Sequence, residues 1–424
     1  MKKLGRHYHW LIAALVFLEI IVYGGLLNSA SVYVQPISQG LGVSTTAYSV
    51  AMMPYTVTCF VGTCVSGYLF SRFGYKKTAL VSLVVVAISL VLTAVAKNLV
   101  LFGFSKILFG LGYGACFTAG SVRIIKAWFH KHQGLVLGAV SMASGLGGSL
   151  MTILLNSLIE NYDWRIANFV AAAIIGVVAL LYLLLKDRPE DMGLQPFGYG
   201  AHVKTVKKAA KEAQDWPGYP MKDQFRRPQF YLMCLCVLVS CVCIYCTSTF
   251  VIPHFVAEGF TTGQAAMYQS VLMLTLAVFK LAAGWLYDLF GAKVVMVGCM
   301  SCAVVGQGLL CLTDDPVICM IAVMIFAVGL CMTSIAIPLM TEPLFGYRAY
   351  MGVNGIFLGM SSLGTVFSGP ISSMCYDTYG TYIPVYRVTC LVNVGVMLLY
   401  LLLFAMAKKD RLRMTAETKS GSAC

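Results

Sequence analysis

Three ionisable side chains stand inside long apolar runs of this chain: Glu19, Lys106 and Lys280. A charge at the centre of a lipid layer costs about 2.5–3.5 kcal/mol on insertion scales, so it normally faces a helix-bundle interior or an aqueous cavity. An ammonium held there can bind an anion, and a carboxylate held there can carry a proton. Counting ~1.5 Å per residue from opposite faces puts Glu19 and Lys106 at similar depth, as a neutralising pair or a proton-carrying one. Lys280 lies in the inner half of its run, where snorkelling to the headgroups is the alternative to binding. For Lys106 the alternative is a packing cation.

The elements that hold these groups follow from composition. The 424 residues are 59% hydrophobic and 11% charged, against about 25% charged in soluble domains. A formal charge of +13 raises the question of a nucleic-acid partner, which the placement of the charges answers. Lys97 and Arg165 fall in loops of one side, Arg387 at a span edge, and Lys106 and Lys280 within spans; every other Lys and Arg lies in the termini or in loops of the opposite side. That asymmetry is the positive-inside pattern and places both termini in the cytoplasm, in a multi-pass protein of the plasma membrane with no nucleic-acid partner. Most of the 16 cysteines lie inside apolar runs and read as buried thiols. The six histidines (His7, His9, His130, His132, His202, His254) sit in loops or at helix ends, and no two frame a metal site within a span. No cofactor, no metal and no enzyme activity are expected.

The first apolar run begins at Trp10 and continues to about Val34, too long for the core of a signal peptide, so it reads as a retained first span. Eleven more follow, at about 46–70, 78–96, 99–120, 134–156, 166–186, 229–256, 264–287, 293–311, 317–340, 350–374 and 384–406, each near the ~20 residues that cross ~30 Å of hydrocarbon. The expected division is a six-helix bundle over 1–186, a cytoplasmic linker over 187–228, a second six-helix bundle over 229–406 and a cytoplasmic tail over 407–424. An internal repeat supports two halves. GYLFSRFGYKK from Gly67 is echoed 217 residues on by GWLYDLFGAKV from Gly284, and the same offset pairs Phe109 with Phe326, Gly112 with Gly329 and Asn28 with Tyr245. Asn28 and Tyr245, on the first and seventh spans, are candidates to line a site, though membrane Asn and Tyr often only bond across helices.

GYLFSRFGYKK resembles the loop signature of the major facilitator superfamily, and KILFGLGYG from Lys106 resembles its helix-four motif with Lys for Arg. The loop copies assign a gating role to Gly67, Arg72, Gly74, Lys76, Gly284, Asp288 and Gly291, with Ser71 where the family carries Asp and Leu289 where it carries Arg. KAWFHKHQGLVLGAVSMASGLG, DWRIANF, RPEDMGLQP and EPLFGYRAYMGVNGIF are similar to the branch of oxalate/formate antiporters and monocarboxylate transporters. The resemblance implies an all-α integral membrane protein with twelve transmembrane helices in two six-helix repeats. It also implies substrate between the halves near the midplane. Lys280, four residues before Gly284 and Trp285, takes the place of the branch's carboxylate-binding arginine; Lys keeps the charge and loses the planar fork. The position of the antiporter's helix-eleven lysine is Ser362, beside Ser361. The expectation is a secondary transporter of a small organic acid, a monocarboxylate, coupled to protons or to anion exchange and working as a monomer in the bilayer. The rival expectation is a proton-coupled exporter of drugs or other small molecules.

Overall fold

In lipid a spanning chain can satisfy its backbone N–H and C=O groups only within helices or a closed barrel, and the apolar runs resolve into helices. The computed structural model describes all residues except 1, 130–132, 188, 193, 196, 198–217, 313–314, 334–335, 347, 349 and 422–424; for 2–7, 64, 67, 71, 117–119, 122–123, 126, 133–135, 137–138, 190–191, 284, 288, 351–352 and 412–421 it describes the backbone alone. The helices are α1 (Lys2–Asn28), α2 (Val34–Leu41), α3 (Thr45–Phe73), α4 (Tyr75–Ala94), α5 (Leu99–Trp128), α6 (Gln133–Asn161) and α7 (Trp164–Tyr182). After the central loop come α8 (Met221–Gln224), α9 (Pro228–Ser248), α10 (Val251–Ala257), α11 (Thr262–Leu310), α12 (Pro316–Leu330), α13 (Ala336–Phe345), α14 (Tyr350–Tyr379) and α15 (Ile383–Gly421). Ten segments among the described residues are long and apolar enough to cross a membrane.

The first span ends earlier than its apolar run. α1 stops at Asn28, and a 3₁₀ turn, Ala30–Tyr33, leads into the short α2. The seventh span breaks in the same way, α9 giving place to the short α10. The 217-residue repeat is written into the backbone as well. Gly42 and Gly259 have φ of 65° and 91°, and Gly74 and Gly291 have φ of 81° and 77°, with ψ of 167° at both of the latter. A residue with a Cβ adopts positive φ at a cost. Both copies of the loop signature therefore use their second glycine for the same turn, and in α11 it divides what would otherwise be one unbroken helix.

Two compact units form: one from Met1–His202, Ser248–Leu281 and Gly369–Pro384, the other from Val203–Thr247, Ala282–Ser368 and Val385–Cys424. In the first, α1 lies on α6 and α3 on α5 at backbone distance. A Cβ on Gly147 would collide with the Ile21 carbonyl oxygen, and one on Gly114 with that of Cys59. In the second, Gly364, the repeat mate of Gly147, would place a Cβ 2.8 Å from that of Cys241 on α9. Small residues are what let helices associate where lipid supplies no hydrophobic drive. The GAVSMASGLGG stretch, expected as a close-packing face, has this role in α6. Gly147→Ala is expected to lower the thermal stability of the detergent-purified protein by about 1–3 kcal/mol, the usual range for overpacking. Gly176→Ala is the control: its Cβ would have no neighbour within 4 Å, and it should leave the melting temperature equal or higher.

Candidate functional site

The close approach of α1 to α6 positions a polar seam. Lys280, in the first arm of α11, donates from Nζ to Ser144 Oγ at 3.1 Å. Asn28, the last residue of α1, donates from Nδ2 to Ser144 O at 2.9 Å, and its own carbonyl accepts from Gln269 Nε2 at 3.0 Å. Ser144 Oγ donates onward to Ser141 O at 2.9 Å. Lys280 is half-buried and is held by α6 within the unit. Two candidates of the sequence, Lys280 and Asn28, thus meet on Ser144, a residue whose only signal was its place in the small-residue face of α6.

Glu19 and Lys106 are not brought together. The Glu19 side chain, 1% exposed, accepts from the hydroxyls of Tyr75 at 3.0 Å and Tyr182, and from Cys116 Sγ at 3.3 Å. It is level with Cys116, ten residues beyond Lys106 on α5, roughly 15 Å along the helix axis. Equal depth fails because α5 runs on to Trp128, well past its expected end, so counting from the span edge misplaces both groups. Lys106 Nζ instead donates to Thr93 Oγ1 at 3.2 Å and lies 4.9 Å from the Phe102 ring centroid and 5.7 Å from that of Phe109.

At the first loop signature, Gly74 makes its turn beside Asp187, and a Cβ there would collide with that carboxylate. Asp187 accepts from Lys76 N at 2.6 Å, and Lys76 Nζ reaches Leu183 O at 2.5 Å. Arg72 stays exposed and donates to Tyr68 OH at 2.5 Å. With Ser71 in place of the family's Asp, the acid at this loop comes from Asp187, in the stretch just ahead of RPEDMGLQP. At the second copy Gly291 is open to its surroundings, while the side chain of Asp288 and the packing of Gly67 and Gly284 lie outside the described residues. In the other unit Tyr245 lies beside Thr333 and Ser361. Ser361 donates to Thr333 O at 3.1 Å and accepts from Cys241 at 3.2 Å. Ser362, exposed, donates back to Leu358 O at 3.1 Å.

A further polar cluster closes the end of the first unit that is poor in Lys and Arg. Asp377, near the end of α14, accepts from Thr45 Oγ1 at 2.8 Å and from Thr46 N at 3.0 Å, so its charge sits on the positive end of α3. One turn deeper the hydroxyls of Ser49 and Ser373 meet at 2.5 Å. Burial pulls the Asp377 carboxyl up, but the hydrogen bonds from Thr46 and Thr45 outweigh it and hold the group below its ordinary value. Being depressed, it stabilises this contact at every pH above the ordinary Asp value of about 3.9, and the gain is lost only on acidification below it. The repeat supplies a counterpart: Thr262 Oγ1 donates to Glu160, and these residues are the 217-residue mates of Thr45 and Asp377. The offset made both pairs available in the sequence.

The chain matches the Major Facilitator Superfamily over residues 12–268 and 233–422. It belongs to that superfamily. Monocarboxylate transporter 12 of Xenopus laevis is 23% identical over 349 residues, which cover 77% of this chain and 74% of that protein. The nucleoside transporter NupG superposes with a TM-score of 0.73 at 13% identity, covering 93% of this chain and 99% of NupG. A D-xylose-proton symporter superposes with 0.71 at 15%, covering 91% and 96%. These solved relatives establish the fold, and the matches are membrane transporters rather than enzymes. In this Major Facilitator chain the Asp377 cluster joins α3 of the first repeat to α14 of the second. Ser49→Cys with Ser373→Cys is expected to cross-link on mild oxidation, read as the bridged peptide by mass spectrometry. Adding Asp377→Ala should reduce the yield at least about twofold by releasing a charge-assisted contact.

Proposed function

We propose that this superfamily member is a secondary active transporter of a small organic anion, a monocarboxylate, working by alternating access. The observation that carries the reading is the Lys280 ammonium held on Ser144 at the α1–α6–α11 seam, at the spacing where the resembling branch places its carboxylate-binding cation. The naming of the Xenopus laevis relative as a monocarboxylate transporter supports the same class. A dianion in a low-dielectric cavity needs both charges compensated, and an unpaired one carries a penalty of several kcal/mol. The helix-eleven position carries Ser361 and Ser362, whose hydroxyls bring no charge. Formate-, lactate- and pyruvate-like acids fit this set and oxalate does not. Asn28, which meets Lys280 on Ser144, and Tyr245, in the other unit, are the further substrate contacts this reading proposes. The chain works as a monomer in the plasma membrane with both termini cytoplasmic, and the Asp377 cluster lies at the outer face.

In proteoliposomes, Lys280→Ala is expected to abolish uptake of a labelled monocarboxylate while leaving the protein folded, and Lys280→Arg to retain a part. Unlabelled monoacids should compete for uptake on the unmodified protein. Oxalate and lipophilic cations should not. Competition by lipophilic cations alone would move the assignment to a drug exporter.

Glu19 is the proton site of this reading. Three uncharged donors hold it away from any described cation, so it can be neutralised by a proton without leaving a partner charge behind. Glu19→Gln should abolish accumulation driven by a pH gradient and preserve exchange of substrate for substrate. Because Lys106 stands about 15 Å away, the losses from Glu19→Gln and Lys106→Gln should add. Accumulation against the gradient by the glutamine variant would remove the proton role.

A further inference from the structure

The surroundings of Lys106 are those of a cation awaiting an anion. Its ammonium has three N–H donors. One is used by Thr93 Oγ1, and the Phe102 and Phe109 rings face it. No carboxylate lies within ion-pair distance of it among the described residues. An ammonium buried without a counter-charge is strongly disfavoured. Lys106 borders a cavity of about 50 Å³, walled also by Tyr33, Tyr48, Tyr55, Phe109 and Asn168, all in the first unit. The hydroxyl of Tyr33 is buried there with no hydrogen-bond partner, an arrangement that costs about 1–3 kcal/mol when nothing fills it. Asn168 Nδ2 is already committed to Trp164 O at 2.8 Å. The Lys106 ammonium and the Tyr33 hydroxyl thus both have donor capacity to spare beside this cavity.

We propose that the cavity binds a small monovalent anion, with Lys106 and Tyr33 as its donors. A single cation sets the charge at one. By the measure on which one water takes about 10–15 Å³, the space admits three or four water-sized atoms, which is a formate or acetate, or a chloride. The aromatic walls accept a methyl group and offer nothing to a second charge. Neither repeat mate of the two donors could make such a site in the second half, since Val323 stands for Lys106 and Phe250 for Tyr33. Tyr33 ends the 3₁₀ turn that follows α1, so a bound anion ties that break in the first span to α5. The site does not use Lys280 and stands or falls independently of the transport reading.

The test is thermal unfolding of the purified full-length protein in detergent, with sodium gluconate exchanged for formate, acetate or chloride at constant ionic strength. Gluconate is a monoanion too large for the cavity. The expected result is a saturable rise in melting temperature with the small anions. A rise with formate and acetate assigns a carboxylate site, and a rise with chloride a halide site. Lys106→Gln should weaken the apparent affinity at least about tenfold, as loss of a hydrogen bond to a charged group does, and Tyr33→Phe about threefold. Lys106→Arg keeps the charge and should keep the anion response if the fold tolerates it. Lys280→Gln should keep the part of the response that Lys106→Gln removes, even where it stops uptake. No anion-dependent rise, an equal rise with gluconate, or a rise that survives Lys106→Gln and vanishes with Lys280→Gln would each overturn the proposal.

Discussion

Lipid tails are as apolar as leucine, so these helices associate through close packing and the hydrogen bonds it permits rather than through a hydrophobic drive. The structure depends on backbones that touch where side chains have been removed: Gly147 on Ile21, Gly114 on Cys59 and Gly364 against Cys241. Each crossing fixes what its helices carry. The Gly147 crossing brings Asn28 onto the carbonyl of Ser144 and leaves the Ser144 hydroxyl facing Lys280. Gly148, one residue on, lets α11 approach as well, with Met273 about 3.0 Å from where a Cβ would stand. The polar seam thus follows from α6 having no bulk on the side that meets its neighbours.

The fold was legible because its signals are long. Apolar runs of twenty residues, a one-sided distribution of Lys and Arg and a fixed 217-residue offset survive errors of several residues. The offset was richer than it first looked: besides the glycines it carried the positive-φ turns and both hydroxyl–carboxylate pairs, Thr45 with Asp377 and Thr262 with Glu160. The site was legible only in part. Lys280 could be found because a lone charge in a span has few uses, and Asn28 through its repeat mate. Ser144, Tyr75, Tyr182 and Cys116 could not, because a hydroxyl or thiol in an apolar helix has no signature until its partner across the crossing is known. The pairing of Glu19 with Lys106 failed for a geometric reason. Depth counted from a span edge inherits the error in that edge, and α5 continues well beyond its apolar stretch.

The repeat is symmetric in its packing and asymmetric in its chemistry. Gly112 packs against Ser82 and Val86 just as Gly329 packs against Ala303, the mate of Val86. Where the first half has Glu19, the second has Cys236, and where it has Tyr75, the second has Ala292. Glu19, Lys106 and Lys280, the charges inside the apolar runs, each stand in one half alone, with Cys236, Val323 and Thr63 as their repeat mates.

The Asp377 and Glu160 contacts show the same contrast between equivalent positions. Asp377 takes a hydroxyl and a backbone N–H at the start of α3, with the Ser49–Ser373 pair a turn below. Glu160 takes the Thr262 hydroxyl, with Gly263 at the place of Thr46, and Ala266 and Asn156 at the places of Ser49 and Ser373. The seam between α6 and α11 and the seam between α3 and α14 thus share one origin in the repeat and differ in how many hydrogen bonds each collects.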